Sequence, residues 1–314
     1  MASPPRFQLI DAPSPFHALP RFSEALGGRV EIWAKREDLL PLAFGGNKLR
    51  NLEFLIGAAV ADGCDTLVTS GRRWSNHARL TAAAGARAGL RVHLVLSGPQ
   101  AEAPGPGIVM ARSLGATVHL LDDPDRAARE AAVERVAADV EAGGGRPFVI
   151  GVGGSGAIGV HGQVLAAREI EAQAREAGVR IQRVVVPTAT GGTQAGLLTG
   201  LAPYVIVSGI VAARSAAELR PAIAAMITAG GGSVDPAEIE LDERQLGDGY
   251  GRRTAAAEEA AALLARTEAI LVDPIYTAKA LAGLVAGVRS GAWDGERIVF
   301  WHAGGLPGLF EPLD

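Results

Sequence analysis

DTLVTSGRRWSNHARLTAAAGARAGLRVHLVL, residues Asp65–Leu96, is the stretch that decides the fold. A short apolar run, Asp65–Ser70, gives way to an Ala-rich amphipathic stretch, Asn76–Ala88, and then to a second apolar run, Arg91–Leu96. That order predicts strand, helix, strand, the unit from which parallel sheets are built. Working toward the C-terminus, the same alternation predicts a helix at Ile108–Leu114, an extended run at Thr117–Leu121, a helix at Arg126–Ala142 and an extended run at Pro147–Gly151. A long helix at Ala157–Ala177 and a strand at Arg183–Pro187 follow. Beyond them come helix Gln194–Leu201, strand Val205–Val211, helices Ala216–Thr228 and Thr254–Arg266, strand Ala269–Val272, helix Thr277–Arg289 and strand Arg297–Trp301. The expectation is an α/β chain of two domains, each an open twisted parallel sheet with helices on both faces. Residues 52–161 form a smaller domain inserted into a larger one of residues 1–51 and 162–314. Ligands of such sheets bind beyond the carboxyl ends of the strands.

The bulk composition narrows the function. The chain has 314 residues, 48% of them hydrophobic, and a net charge of -4 with both signs interspersed. It is long enough for a sizeable core, and no basic block points to nucleic acid. Cys64 is the one cysteine, so an intrachain disulfide and a cysteine-based zinc site are both excluded, and its surroundings read as a structural helix-to-strand turn. The Pro-rich segment Met1–Phe16 lacks the apolar core of a signal peptide. No run reaches the roughly 20 apolar residues needed to span a bilayer. A cytoplasmic protein with no membrane or nucleic-acid partner is expected.

Six stretches carry candidate chemistry. In Phe44-Gly45-Gly46-Asn47-Lys48 a glycine turn precedes a lysine, which suits an amine aimed into a cleft; on this stretch alone an exposed loop lysine is the simpler alternative. Trp74-Ser75-Asn76-His77 follows a strand and opens a helix, placing amides and hydroxyls where an anion binds, although Ser75 also suits a plain helix cap. His77 has no partner at metal-ligand spacing, so no metal is expected. Thr190-Gly191-Gly192-Thr193 sits at a strand-to-helix junction and forms a nest of N–H donors suited to phosphate. Gly151-Val152-Gly153-Gly154-Ser155-Gly156 fits a dinucleotide fingerprint but lacks the acid that should end the next strand, leaving a nicotinamide oxidoreductase as a weak alternative. Tyr250 and Tyr276 lie in Gly- or Pro-marked turns; each suits stacking or proton donation and equally suits packing at a loop base.

Taken in order, these stretches resemble the D-cysteine desulfhydrase and 1-aminocyclopropane-1-carboxylate deaminase family, pyridoxal-phosphate enzymes built like the tryptophan synthase β subunit (fold type II). The match runs from Lys35 to Gly305, and Gly45–Lys48, Ser75–His77 and Thr190–Gly196 are specific in combination. The resemblance implies a pyridoxal 5'-phosphate cofactor held on Lys48, which later takes the substrate Cα proton. It implies that Thr190, Gly191, Gly192 and Thr193 cradle the phosphate and that Asn76 bonds the ring oxygen. Ser75 would hold the substrate carboxylate or assist at Cα, with Asn76, His77 and Trp74 also at the substrate. Tyr250 and Tyr276 would flank the substrate, and Thr277 would lie near the pyridine nitrogen. Relatives of this fold commonly form homodimers.

Within the family, deaminases usually carry Gln at the position of His77 and Glu at that of Thr277. A neutral hydroxyl near the ring nitrogen suits β-elimination from a small β-substituted amino acid such as D-cysteine, giving pyruvate, ammonia and the leaving group. A 1-aminocyclopropane-1-carboxylate deaminase, a specialised biosynthetic lyase and a non-catalytic binding protein are the alternatives. Departures from the pattern include Ala303 for a Thr, Asn51 for a phosphate-binding Lys with Arg50 as a candidate substitute, and Trp74 for a Gln. Arg72 and Arg73 replace small residues on the same loop, so they either reshape the pocket for a larger or acidic substrate or point into solvent.

Overall fold

In a computed structural model that describes residues 4–98, 104–123 and 125–312, the chain forms two sheets. The strands are β1 (Phe16–Ala18), β2 (Glu31–Arg36), β3 (Thr66–Arg72), β4 (Arg91–Ser97), β5 (Thr117–Leu121), β6 (Pro147–Ile150), β7 (Arg183–Thr188), β8 (Ile206–Val211), β9 (Leu241–Asp242) and β10 (Arg297–His302). The helices are α1 (Pro20–Ala25), α2 (Lys48–Ala61), α3 (Asn76–Ala88), α4 (Pro106–Ser113), α5 (Arg126–Ala142), α6 (Val160–Glu176), α7 (Gly192–Gly200), α8 (Ala216–Ala229), α9 (Ala255–Glu268) and α10 (Thr277–Arg289). One sheet has the order β5-β4-β3-β6 and is wholly parallel. The other runs β1-β2-β10-β7-β8-β9 and is parallel except where β1 meets β2.

Side-chain alternation explains why helices cover both faces. On β7, Val184 and Val186 join Ile170 of α6 and Leu197 of α7 in one core. Val185, between them, joins Leu281 and Leu284 of α10 in another. In the smaller sheet, Leu67 packs with α2 and α3, while Val68 packs with Val133 and Val136 of α5. The β-strands after Asp65 come close to the sequence expectation, and helices Asn76–Ala88, Arg126–Ala142 and Thr277–Arg289 match it residue for residue.

Three differences have physical causes. The strand expected at Ala269–Val272 is unpaired, because β2 and β7 already occupy both edges of β10; the Leu271 carbonyl instead accepts from His302 Nε2 at 2.8 Å. The helix expected from Ala157 begins at Val160, after a turn at Val152–Gly154. Strands β1, β2 and β9 and helices α1 and α2 are additional elements. Both domain boundaries expected near Leu52 and His161 fall inside helices, α2 and α6; we infer that this helix pair is where one unit passes into the other.

Every residue of α2 from Leu49 to Ala59 is buried, Arg50, Asn51 and Glu53 included. Buried polar groups need partners, and each has them. Glu53 accepts from the Leu9 and Ile10 amides at 2.9 and 3.0 Å and pairs with Arg6, fastening the N-terminal segment to the helix. Arg50 donates to Glu37 at 2.6 Å and to Glu169 of α6 at 2.8 Å, and Lys35 of β2 joins the same Glu169. The two helices cross so closely that a Cβ on Gly162 would lie 1.9 Å from the Arg50 carbonyl oxygen. No helix among the described residues is long and apolar enough to cross a membrane.

Replacing Arg50 by Met would leave Glu37 and Glu169 buried with too little positive charge. Urea unfolding should then show a loss of about 3–5 kcal/mol, the usual cost of breaking a buried ion pair from one side.

Candidate active site

A cavity opens where four strands end, two from each sheet. Ser75 lies beyond β3, Val152 beyond β6, Thr190 beyond β7 and Ala303 beyond β10; all line it together with Lys48 at the first turn of α2. Sequence placed these stretches far apart, and the two sheets bring their carboxyl ends face to face.

Lys48 follows a tight left-handed turn. Leu42, Ala43, Phe44 and Gly45 have φ of 67, 43, 64 and 62°. For the three that are not glycine this conformation costs about 1–2 kcal/mol each. Arg79 of α3, itself buried, offsets that strain by donating to the Ala43 and Gly45 carbonyls. The turn is further pinned by Gly46 N–H on the Glu37 carbonyl and Asn47 N–H on the Ala303 carbonyl, both at 2.9 Å. Burial lowers the Lys48 pKa to about 8. No carboxylate or other partner holds its amine among the described residues. The other lysines are occupied: Lys35 is paired with Glu169, and Lys279 donates to the Leu246 carbonyl at 2.6 Å. Lys48 is therefore the one lysine whose amine is free to react.

Opposite it, Thr190–Thr193 forms the expected nest at the start of α7. Gly191 has φ 86°, and a Cβ there would lie 2.5 Å from Ile223, so only glycine fits. Ser155 and Thr190 hydroxyls bond each other at 2.6 Å, and the Asn47 amide donates to Thr193 Oγ1 at 2.7 Å, tying the lysine turn to the nest. The Gly151–Gly156 stretch is a third wall of this cavity: Val152 and Gly153 line it, and Asn51 donates to the Gly154 carbonyl at 3.0 Å. Arg50 does not stand in for a phosphate-binding lysine, because Glu37 and Glu169 hold it away from the cavity.

Two side chains have their polarity fixed by neighbours. Arg79 can only donate, and it donates to Asn76 Oδ1 at 3.2 Å, which leaves the Asn76 NH2 as a donor elsewhere. Thr69 donates its one hydroxyl proton to the Ile150 carbonyl at 2.7 Å, so His77 Nε2, 3.0 Å from Thr69 Oγ1, must carry the ring proton. His77 Nδ1 is then a buried acceptor without a partner. Burial, with repulsion from Lys48, lowers the His77 pKa to about 3, so the ring is neutral at physiological pH. Ser75 caps α3, its Oγ accepting from Ala78 N–H at 3.2 Å, and still lines the cavity.

The remaining expected residues, Tyr276 apart, lie one layer out. Tyr276 lines the cavity, and its hydroxyl meets that of Tyr250, against which Trp74 packs at 6.0 Å between ring centroids. Burial raises the pKa of both phenols, keeping them protonated. Thr277 is fully buried away from the cavity wall and donates to the Asp273 carboxylate. Arg79 and Thr69 escaped the sequence reasoning. The only signal for Arg79 is its position three residues after Asn76, on the same face of a helix. No group of three or more metal-ligating side chains occurs among the described residues.

This donor set fits a phosphorylated aldehyde: a free amine of lowered pKa, a glycine nest at a helix N-terminus, and an amide donor between them. The comparisons with known proteins agree. Residues 8–304 match the family model "Pyridoxal-phosphate dependent enzyme". The chain is 41% identical to the D-cysteine desulfhydrase of Salmonella newport (strain SL254), over 98% of this chain and 95% of that protein, and equally to that of Salmonella typhi. A crystal structure of an ACC deaminase homologue superposes with a TM-score of 0.88 at 33% identity, covering 98% of this chain and 94% of the other. The processed form of threonine deaminase isoform 2 from Solanum lycopersicum shares the fold, with a TM-score of 0.66 at 20% identity over 94% of this chain and 80% of the other. The fold is that of the tryptophan synthase β-like, type II enzymes.

Only the unprotonated amine of Lys48 attacks a carbonyl, and that fraction rises with pH through the pKa. In cofactor-free protein, reductive trapping of pyridoxal phosphate on Lys48 should be half-maximal near pH 8, against 10.5 for an ordinary lysine.

Proposed function

The chain belongs to the pyridoxal-phosphate-dependent enzymes, and from that premise we propose that it is a lyase performing β-elimination on a small β-substituted amino acid of the D-cysteine type. The observation that carries this reading is the 41% identity to D-cysteine desulfhydrase over 98% of the chain, joined to a free Lys48 amine in the cavity. When bound, pyridoxal phosphate supplies an electron sink for the substrate Cα.

The protein's own residues supply position and proton transfer. Lys48 would hold the cofactor through its aldehyde carbon, Thr190–Thr193 would receive the phosphate, and Asn76, turned by Arg79, would offer its amide protons to the ring oxygen. The Ser75 hydroxyl and the amides at the start of α3 receive the substrate carboxylate, a favourable place for an anion. His77, with only a lone pair to offer on Nδ1, accepts a hydrogen bond from the substrate nitrogen or from Lys48, stays neutral, and does not bind the carboxylate through its ring. Once displaced from the aldehyde carbon by the substrate's own amine, Lys48 Nζ would take the Cα proton. The Cβ bond to the leaving group breaks with its electron pair, and protonated Tyr276, backed by Tyr250, stands by to neutralise it. The released aminoacrylate is hydrolysed to pyruvate and ammonia. Thr277 acts through Asp273, since its hydroxyl is committed there.

Purified holoenzyme given D-cysteine should release sulfide and pyruvate in equal amounts. Lys48→Ala should lower that rate at least about a thousandfold. Release of 2-oxobutyrate from 1-aminocyclopropane-1-carboxylate, with no sulfide from D-cysteine, would replace this reading by the deaminase one.

A further inference from the structure

Proton donors without acceptors gather beside the two tyrosines. Arg72, the last residue of β3, is half-buried, and its guanidinium makes no hydrogen bond or ion pair among the described residues. Arg73, in the turn just after β3, is engaged elsewhere: its Nε donates to the Gly98 carbonyl at 2.9 Å and it pairs with Asp122 at 2.9 Å. Arg129 of α5 is 8% exposed. One of its terminal nitrogens donates to Ser97 Oγ at 2.8 Å, while its buried Nε has no partner.

The Trp74 indole N–H is also buried and unpartnered. It comes close enough to Tyr250 to lower the phenol's pKa without reaching hydrogen-bond geometry. Arg72 lies opposite Ser97 in the pairing of β3 with β4, and Arg129 donates to that same Ser97, so the two positive charges share one neighbourhood; both act on Tyr250 in the same sense. The carboxylate beside them, Glu130, is engaged with Arg126 at 2.6 Å. Two like charges partly withdrawn from water and short of a counter-ion are an unfavourable arrangement. A thiol side chain would leave it so, whereas a negatively charged one would relieve it.

We propose that Arg72, Arg129 and the Trp74 indole N–H form an oxyanion-accepting subsite beside Tyr250, which selects an amino acid whose side chain ends in a group such as a carboxylate or phosphate. The subsite rests on the lyase reading, because Tyr250 reaches the cavity with Lys48 through Tyr276. Arg73 is a structural anchor and lies outside it.

The test is a titration of the holoenzyme with O-phosphoserine and serine in both configurations, followed by cofactor absorbance, with pyruvate measured separately. O-phosphoserine should bind at least about tenfold more tightly than serine of the same configuration, the scale of one charge-assisted hydrogen bond. Arg72→Gln and Arg129→Gln should each bring that ratio toward one. Arg72 is partly exposed, so its replacement leaves the fold intact even where that of Arg129 does not. A wild-type ratio at or below one, or a ratio unchanged in Arg72→Gln, would overturn the subsite. A preference that persists while no amino acid yields pyruvate would overturn the lyase reading and leave the subsite standing.

Discussion

The buried contact between Arg50 and its two carboxylates is the constraint on which the rest of the site depends. Glu37 comes from the turn after β2, Glu169 from α6, and Arg50 from the first turn of α2, two residues after Lys48. One guanidinium therefore joins the larger sheet, the helix that carries the lysine and the helix that crosses it. Removing charge from water is expensive, so such a cluster persists only when every member is satisfied. Here it is: Ser14 donates to Glu37 at 2.6 Å, and Lys35 shares Glu169. Arg50 is held charged by both carboxylates against the opposing effect of burial, and Arg50 and Lys35 keep Glu169 below the usual carboxylate range. The cluster absorbs the charges near Lys48 and leaves that amine alone in its cavity.

From this anchor the remaining geometry follows. Arg50 fixes the start of α2, and the left-handed turn before it must then bend sharply to return from Asp38 to Lys48. Arg79 grips the carbonyls of that turn and, with the same guanidinium, orients Asn76. A single cation thus couples the loop that presents the amine to the helix end that meets the ligand. The phosphate nest is joined to the same frame through Asn47 and Thr193. Local strain near a reacting group is stable when the surroundings over-determine it.

The alternating strands and helices after Asp65 were legible because each strand is short, apolar and flanked by turns, and because α3 and α5 keep a polar face. The elements before Asp65 were not. β2 contains Lys35 and Arg36, whose charges disguise a strand until their buried partners are known. α2 is enclosed on all sides, so it has no polar stripe and gives no helical period. Among the site residues, Lys48, Ser75, Asn76, His77 and Thr190–Thr193 gather in one cavity as their motifs suggested, whereas Trp74 and Tyr250 stand behind Tyr276 and Thr277 turns to Asp273. What sequence could not show is polarity. Whether His77 donates or accepts depends on Thr69 and Ile150, residues joined to it only by the pairing of β3 with β6.

The most direct test of the account is to reduce the holoprotein with borohydride, digest it and locate the cofactor-derived mass. Lys35, Lys48 and Lys279 are the only candidates in the chain. The account predicts the adduct on Lys48 alone, since the other two amines are committed to Glu169 and to backbone carbonyls. An adduct on Lys35 or Lys279, or a holoprotein whose cofactor is not trapped at any lysine, would contradict it.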